Sequence, residues 1–433
     1  MDLRRTIDDG PMSPFQIAAI AICLVVNMLD GFDVLAIAFT APAIARDWSV
    51  PDDALGLLFS AGLAGMMAGS LFIAPFADRI GRRPVIVVCL VVLSAGMCAS
   101  AAAADVRQLA AMRALTGLGI GGALASLNTI VAEYSPLRWR DFAVSLLQTG
   151  YPIGATIGGS IAVGLLASYG WRAVFVAGGL ASTMLVPVVL WRLPESFDYL
   201  VTRRPDGALE RTNALLARMG RPALDALPAA DARTTPSLRA QVEELFSPEH
   251  RTTTILLWVA FFMVMASFYF ALTWTPQILV ASGLSVGRGV SGGVLMNVGG
   301  IVGAGLLGWA SAQLGLRRLV SIYMAACTVA FVLFAALAGS LPARLAAAAM
   351  IGFFIFGSMV GLYAMAPRLY APQVRTTAIG WAIGIGRGGA VLGPYVAGLL
   401  LASGWERSAC YVLFAVPPLL SLAAVRSLPA WRT

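Results

Sequence analysis

Between its second and third long apolar runs the chain reads Ala77-Asp78-Arg79-Ile80-Gly81-Arg82-Arg83-Pro84. Between the eighth and ninth it reads Ser311-Ala312-Gln313-Leu314-Gly315-Leu316-Arg317-Arg318. Aligning Gly81 with Gly315 also sets Gly69 opposite Gly303 upstream. Each copy is a short loop whose central glycine permits a sharp turn, followed by paired arginines. Such a repeat predicts two related halves with a substrate site between them. The charges of the loop survive in full only in the first copy.

Outward from these loops the chain is a series of apolar runs. Hydrophobic residues fill 59% of the 433 positions and charged residues 12%, too apolar for a soluble domain of this size. A bilayer core of ~30 Å is spanned by about 20 apolar residues in a helix. Runs of that length fall at 16–38, 54–77, 85–104, 106–131, 141–168, 171–192, 253–281, 287–313, 317–340, 342–366, 375–401 and 406–427. No alternating pattern suited to a membrane barrel appears. The expected fold is therefore all-α, with twelve transmembrane helices in two pseudo-symmetric six-helix bundles. The bundles are residues 1–193 and 253–433, joined by a cytoplasmic loop at 194–252. Within that loop 207–219 and 237–246 suit short amphipathic helices, separated by the Pro/Ala-rich 222–236.

All thirty basic residues are Arg. With both termini cytoplasmic and the Arg at span ends counted with the adjoining segments, 22 lie on the cytoplasmic side, six outside and two at depth, which satisfies the positive-inside rule. The net charge of +8 thus reflects topology and gives no ground for a nucleic-acid partner. The first apolar run is a full span, so no cleaved signal is expected. Cys23, Cys89, Cys98, Cys327 and Cys410 all fall in spans without a CxxC pair and read as small packing residues. The one histidine, His250, lies before span seven, which leaves no histidine relay or metal site at depth. No cofactor is expected.

Charges inside the spans carry the functional information. Asp30 and Asp33 lie on one face of span one, with Asn27 a step below. A charge at mid-bilayer costs about 2.5–3.5 kcal/mol on insertion scales, so retaining two points to a carboxyl that takes and releases a proton. Arg113 in span four falls at a comparable depth and is a plausible partner for Asp33. Arg387 lies twelve residues into span eleven, ~18 Å along the helix and near the midplane. Spans seven to eleven contain no Asp or Glu, which favours a carboxylate ligand for Arg387 over a permanent ion pair. Glycines around Arg113 and Arg387 happen to spell G-x-G-x-x-G. Neither run follows a strand, so close helix packing is the better reading than dinucleotide binding.

The loop Asp78-Arg79-Ile80-Gly81-Arg82-Arg83 resembles the signature loop of the major facilitator superfamily, with Ala74 in place of the usual leading glycine. A sharper resemblance is to the aromatic acid:proton symporter family. It rests on Asp30-Gly31-Phe32-Asp33, on the run from Arg113 through Gly117, Gly119, Gly121 and Gly122, and on Glu133-Tyr134 with Arg138 and Arg140. Gly150-Tyr151-Pro152-Ile153-Gly154 and the run from Arg375 to Arg387 belong to it as well. The resemblance covers nearly the whole chain and implies proton-coupled uptake of carboxylates such as benzoate, hydroxybenzoates or muconate. It makes Asp30 and Asp33 the proton-coupling residues and Arg113, Glu133, Arg375 and Arg387 important for transport. The chain departs from it near Ala312, where an acidic residue is expected.

Together these readings predict a rocker-type symporter of an organic acid anion, a monomer in the inner membrane, with protons and lipid as its other partners. Arg387, Arg113 and Asn27 are the candidate polar substrate contacts, with Tyr269 and Trp274 (and Phe268) packing the substrate. Asp78, Arg79, Arg82, Arg83, Glu133 and Arg375 are the candidate gating residues. Proton-antiport efflux on the same fold is the alternative. A receptor would need a large soluble output domain, and a catalytic cluster at depth is missing, so neither a signalling protein nor an enzyme is expected.

Overall fold

The computed structural model describes residues 7–228, 243–337, 340–370 and 372–429. Among them are 12 helices long and apolar enough to cross a membrane. Spans one to six are Pro14–Trp48, Asp52–Ile80, Arg82–Ala101, Val106–Tyr134, Leu137–Tyr169 and Trp171–Arg192. Spans seven to twelve are Arg251–Ala281, Val286–Ser311, Leu316–Ala336, Leu341–Arg368, Thr377–Ala402 and Arg407–Ser427. The largest difference from the sequence reading is span one, which runs through Pro42 to Trp48. Proline removes a helical donor, but Ala41 and Ile44 on either side are fully buried, and packing carries the helix past it.

Span two is α-helical to Ala68, widens to a π-turn over Gly69–Ile73, tightens to a 3₁₀ turn over Ala74–Phe76 and recovers over Ala77–Ile80. Two local features account for this irregularity. Pro75 has no N–H to bond back along the helix, and Gly69 lies against the backbone of Leu118, where a regular side chain has no room. The loop then turns at Gly81, whose φ of +104° suits glycine; Gly315 turns the eighth span into the ninth with φ +79°. The expected repeat is thus present in the backbone.

Helix crossings repeat at the same spacing. A Cβ at Gly65 or Gly69 would overlap the carbonyl of Ala114 or Leu118 in span four, and one at Gly299 or Gly303 would overlap Ala349 or Phe353 in span ten. Gly154 of span five meets Met28 of span one, and Gly389 of span eleven meets Phe262 of span seven, in the same way. Between lipid-embedded helices, where no hydrophobic drive favours one apolar surface over another, such backbone contact supplies the dispersion that holds the pair.

Packing divides the chain into two compact units, and this division differs from that of the sequence halves. The first comprises Met1–Val34, Gly65–Ala155 and Arg172–Arg233: spans three, four and six, the greater part of span five, and the ends of spans one and two nearest the termini side. The second comprises Leu35–Ala64, Thr156–Trp171 and Thr234–Thr433, so spans seven to twelve are joined there by the remaining ends of spans one, two and five. Within the second unit Ser60 Oγ donates to Val391 O at 2.7 Å and Phe59 meets Trp274 edge-on at 5.1 Å. Span two crosses span eleven at Gly56 and Gly398, where a Cβ on Gly398 would come within 2.8 Å of Gly56 Cα.

Of the loop helices, Ala208–Arg218 coincides with the one expected at 207–219. It is held to the N-terminal segment by Arg221 Nη2, which donates to Pro11 O at 2.9 Å, and by the Arg218 guanidinium, 4.1 Å from the Phe15 ring centroid. The second expected helix, 237–246, lies outside the described residues as far as 242; 243–245 are helical.

Candidate transport site

Span one carries its polar residues on the face turned to spans four and five. Asn27 Nδ2 donates to Leu147 O of span five at 2.5 Å. One turn on, Gly31 lets the span-five backbone at Tyr151 come so close that a Cβ would overlap its carbonyl. Asp33 meets Arg113 of span four: Nη2 lies 2.6 Å from both carboxylate oxygens. The same guanidinium reaches Thr116 Oγ1, lies 3.3 Å from Met97 Sδ and sits 5.4 Å from the Phe175 ring centroid. Both partners are 2% exposed. Asp30 is equally buried, at 2%, yet neither of its oxygens has a hydrogen-bond partner.

A second cluster forms in the C-terminal spans. Arg387 of span eleven lies within electrostatic reach of Tyr363 of span ten, as does Tyr269 of span seven. Tyr363 packs edge-on against Phe261 at 5.4 Å and retains 37% exposure, although it lies within an apolar span. Tyr269 packs on Phe268 at 5.0 Å, and Phe268 on Phe356 at 4.7 Å. A guanidinium near a phenol that itself packs among further rings is suited to an anion carried on a ring: charge-assisted hydrogen bonds for the one, ring faces for the other. Tyr363 has no mark in the sequence that separates it from a packing aromatic.

On the termini side of the first unit a charged network ties loops together. Glu195, just past span six, accepts from the N–H groups of Arg82 and Arg83 at 2.8 and 3.2 Å, capping span three at the Gly81 turn. Glu133 at the end of span four accepts from Ser196 Oγ at 2.9 Å and Phe197 N at 2.8 Å, capping the helix Phe197–Arg203. Arg82 Nε lies 4.0 Å from Glu133 and its Nη2 3.2 Å from Asp78. Arg203 Nε donates to Asp78 O at 2.8 Å, and Arg79 lies 5.9 Å over Phe76. Carboxylates at helix N-termini are favoured both by the unsatisfied N–H groups and by the helix dipole. Arg375 is placed elsewhere, in the second unit, donating to Tyr370 O at 3.4 Å.

The predicted site residues therefore separate into groups. Asp33 and Arg113 form the expected pair. Three residues expected at the substrate have their polar atoms held by protein. Arg113 is paired with Asp33 and also reaches Thr116. Asn27 is bonded to span five. Trp274 is 0% exposed, and its Nε1 donates to Pro394 O at 3.0 Å. Its place is in the crossing of spans two, seven and eleven, because a buried indole N–H must find an acceptor. Asp78, whose place in the loop suits either a helix cap or a pair with Arg, makes the pair, 3.2 Å from Arg82 with its side chain 70% exposed, while Glu195 does the capping. Glu195 has no mark in the sequence that sets it apart from other charged loop residues.

Twelve spans, paired helix crossings repeated in each half, and buried charges in the bundle interior define a secondary-transporter fold. Residues 23–360 match the Major Facilitator Superfamily, and the chain belongs to that superfamily as a multi-pass membrane transporter. The 4-hydroxybenzoate transporter PcaK of Pseudomonas aeruginosa is 33% identical to it over 429 residues, 98% of this chain and 95% of that protein. The gallate transporter of Pseudomonas putida is 32% identical over 425 residues, 98% of this chain and 94% of that protein. Among solved structures, the xylose transporter XylE of E. coli in a partially occluded inward open conformation has a TM-score of 0.77, with 14% identity over 97% of this chain and 99% of that one. That likeness speaks to fold alone.

Proposed function

We propose that the protein is a proton-coupled importer of an aromatic carboxylate of the benzoate, hydroxybenzoate or gallate type. The observation that carries this reading is Arg387, a guanidinium within electrostatic reach of Tyr363, which Tyr269 also approaches, in a set of spans with no acidic residue from 251 to 402. Relatives that transport gallate and 4-hydroxybenzoate support the substrate class.

In this reading Arg387 holds the substrate carboxylate through a two-pronged contact, and the Tyr269, Phe268 and Tyr363 rings pack the substrate ring. The span-one carboxyls Asp30 and Asp33 couple uptake to an inward proton movement. Loading a proton beside an anion lowers the cost of occluding the charged substrate in a low-dielectric site. The halves 1–193 and 253–433 rock about that site, and the loop 194–252 joins them on the cytoplasmic side, where both termini lie. The network of Asp78, Arg79, Arg82, Arg83, Glu133 and Glu195 stiffens the cytoplasmic end of the N-terminal half, and Arg375 acts at the same end of the C-terminal half. The opposite closure is made at Gly56, Phe59, Trp274 and Gly398. The protein acts as a monomer in the inner membrane, since each half supplies the other's packing surface.

The test is uptake of labelled benzoate, 4-hydroxybenzoate, gallate and cis,cis-muconate into proteoliposomes, with and without an inward proton gradient. Gradient-dependent accumulation of a ring carboxylate is the expected result. Accumulation of muconate alone would remove the aromatic requirement. Gradient-driven loss of preloaded substrate would replace import by efflux.

A further inference from the structure

We infer that the two span-one carboxyls have different tasks: Asp30 carries the transported proton, and Asp33 is a fixed counter-charge that locks Arg113 and span four to span one. This rests on the proton-coupled reading above and assigns its coupling step to one atom group.

The geometry separates the two residues. Asp33 has an ionic partner at 2.6 Å on both oxygens, and a proton placed on it would leave the Arg113 guanidinium buried without a counter-charge. That state is strongly disfavoured, because removing one member of a buried pair strands the other. Asp30 has no such partner, and neither oxygen touches a donor. A buried carboxylate in that condition is far costlier than the neutral acid, so in this conformation Asp30 holds its proton.

The surroundings explain why water does not reach it. Span five lies tight against span one on both sides of Asp30 along the helix, through Asn27 bonded to Leu147 O, Gly31 against Tyr151, and Gly154 against Met28. Among the described residues, the ionisable groups recorded around Asp30 are Asp33 on its own helix, Arg113 behind Asp33 on span four and the Cys89 thiol on span three; span five brings the Tyr151 backbone against Gly31. Asp33 disfavours a second negative charge, the thiol offers no positive charge, and the cation is paired with Asp33. None of these groups stabilises an ionised Asp30 while span five is seated. Release of the proton therefore waits for span five to move off span one and admit water. A conformational step and a proton step become one event. Only O–H bonds are exchanged: an Asp30 oxygen gains its proton as hydronium becomes water, and gives it back to water as hydronium on release.

The experiment uses the full chain in proteoliposomes and reads two quantities, gradient-driven accumulation and substrate counterflow, which needs no net proton movement. Asp30→Asn mimics the protonated acid. It should keep counterflow, lose the dependence of counterflow on pH, and lose accumulation. Asp33→Asn should lose both, with counterflow falling on the order of a hundredfold. The neutral double variant Asp33→Asn/Arg113→Gln should recover counterflow and, because Asp30 remains, accumulation as well. Accumulation by Asp30→Asn overturns the assignment, and so does loss of its counterflow. Recovery of exchange without accumulation in the double variant, or its failure to recover exchange, overturns it too. Absence of gradient-driven uptake by the unmodified protein strikes the proton-coupled reading itself, before any variant is compared.

Discussion

Gly69 of span two and Gly303 of span eight lie against the backbones of spans four and ten in the same way, so the two halves share their joints. What they place around those joints differs. Arg113 directly precedes Ala114, the residue that Gly65 meets. The matching place in span ten, directly before the Ala349 met by Gly299, is Ala348. The N-terminal half holds in its interior an ion pair, Asp33 with Arg113, beside the unpartnered carboxyl of Asp30. The C-terminal half has an arginine among aromatic rings and no acidic residue in spans seven to eleven. Repetition preserved the mechanical contacts, where any side chain larger than hydrogen collides, and left the side chains between them open to divergence. One half became internally neutralised and the other suited to taking its counter-ion from the substrate.

The largest effect that would break this contrast is expected at Arg113. Its truncation to alanine strands Asp33 in a buried site, a loss of about 3–5 kcal/mol. The variant should show a markedly lower melting temperature in detergent and no detectable counterflow. Substrate should not rescue it, because the missing partner belongs to the fold. A melting temperature unchanged from the unmodified protein would mean that the N-terminal charges are not a stabilising pair at all.

Arg387→Lys should act in the opposite manner. Lysine keeps the charge but loses the planar fork, so apparent substrate affinity should fall about tenfold to a hundredfold, the worth of one charge-assisted hydrogen bond. Melting without substrate should stay close to that of the unmodified protein. The stabilisation that added 4-hydroxybenzoate gives should shrink, since it follows occupancy by mass action. Equal affinity for the two proteins would sharpen the comparison against us, by making Arg387 a structural residue like Arg113.

These two arginines also mark how much the sequence disclosed. The spans were legible because a bilayer imposes a length and an apolarity that soluble folds do not need. The repeat was legible because Gly81 and Gly315 are required by positive φ. Asp30, Asp33, Arg113 and Arg387 stood out because charge at depth is costly. What stayed hidden was partnership. Whether Arg113 meets Asp33 or a ligand depends on the rotation of two helices far apart in sequence. Trp274 and Tyr363 look alike in an apolar run, yet one is sealed against Pro394 and the other keeps an open face near Arg387. Glu195 was missed because its task arises only when the Gly81 turn points two N–H groups at a loop residue from beyond span six. Span one was read short because Pro42 is a helix-breaking signal that buried packing overrides.

The end of each half offers a milder test. Glu195 ties the segment after span six to the first loop by accepting from Arg82 N and Arg83 N. After span twelve the polarity is reversed: Arg317 of the second loop donates to Val425 O at 3.1 Å and Leu428 O at 2.5 Å. The same joint is closed by a carboxylate on N–H groups in one half and by a guanidinium on carbonyls in the other. Glu195→Gln keeps an acceptor but removes the charge that the helix N-terminus favours, for an expected cost of about 1 kcal/mol. Hydrogen exchange of residues 195–203 should accelerate, while that of residues 425–429 should not. Acceleration at both ends would show that the two joints are coupled rather than independent copies.

The smallest effect is expected at Tyr363. Its replacement by phenylalanine preserves the ring that packs on Phe261 and removes only the hydroxyl near Arg387. If that hydroxyl donates to the substrate carboxylate beside the guanidinium, the loss is one hydrogen bond, about 0.5–1.5 kcal/mol. Apparent affinity should then fall by roughly twofold to tenfold. Fold stability should not change, because the ring contacts remain. Comparing benzoate with 4-hydroxybenzoate separates the two ends of the substrate. A contact with the carboxylate penalises both acids equally, whereas a contact with the ring hydroxyl penalises 4-hydroxybenzoate alone. Equal loss would place the carboxylate between Arg387 and Tyr363 and complete the C-terminal side of the comparison: an arginine with no acidic residue in spans seven to eleven, and a phenol within its electrostatic reach to fix the angle at which the ligand binds.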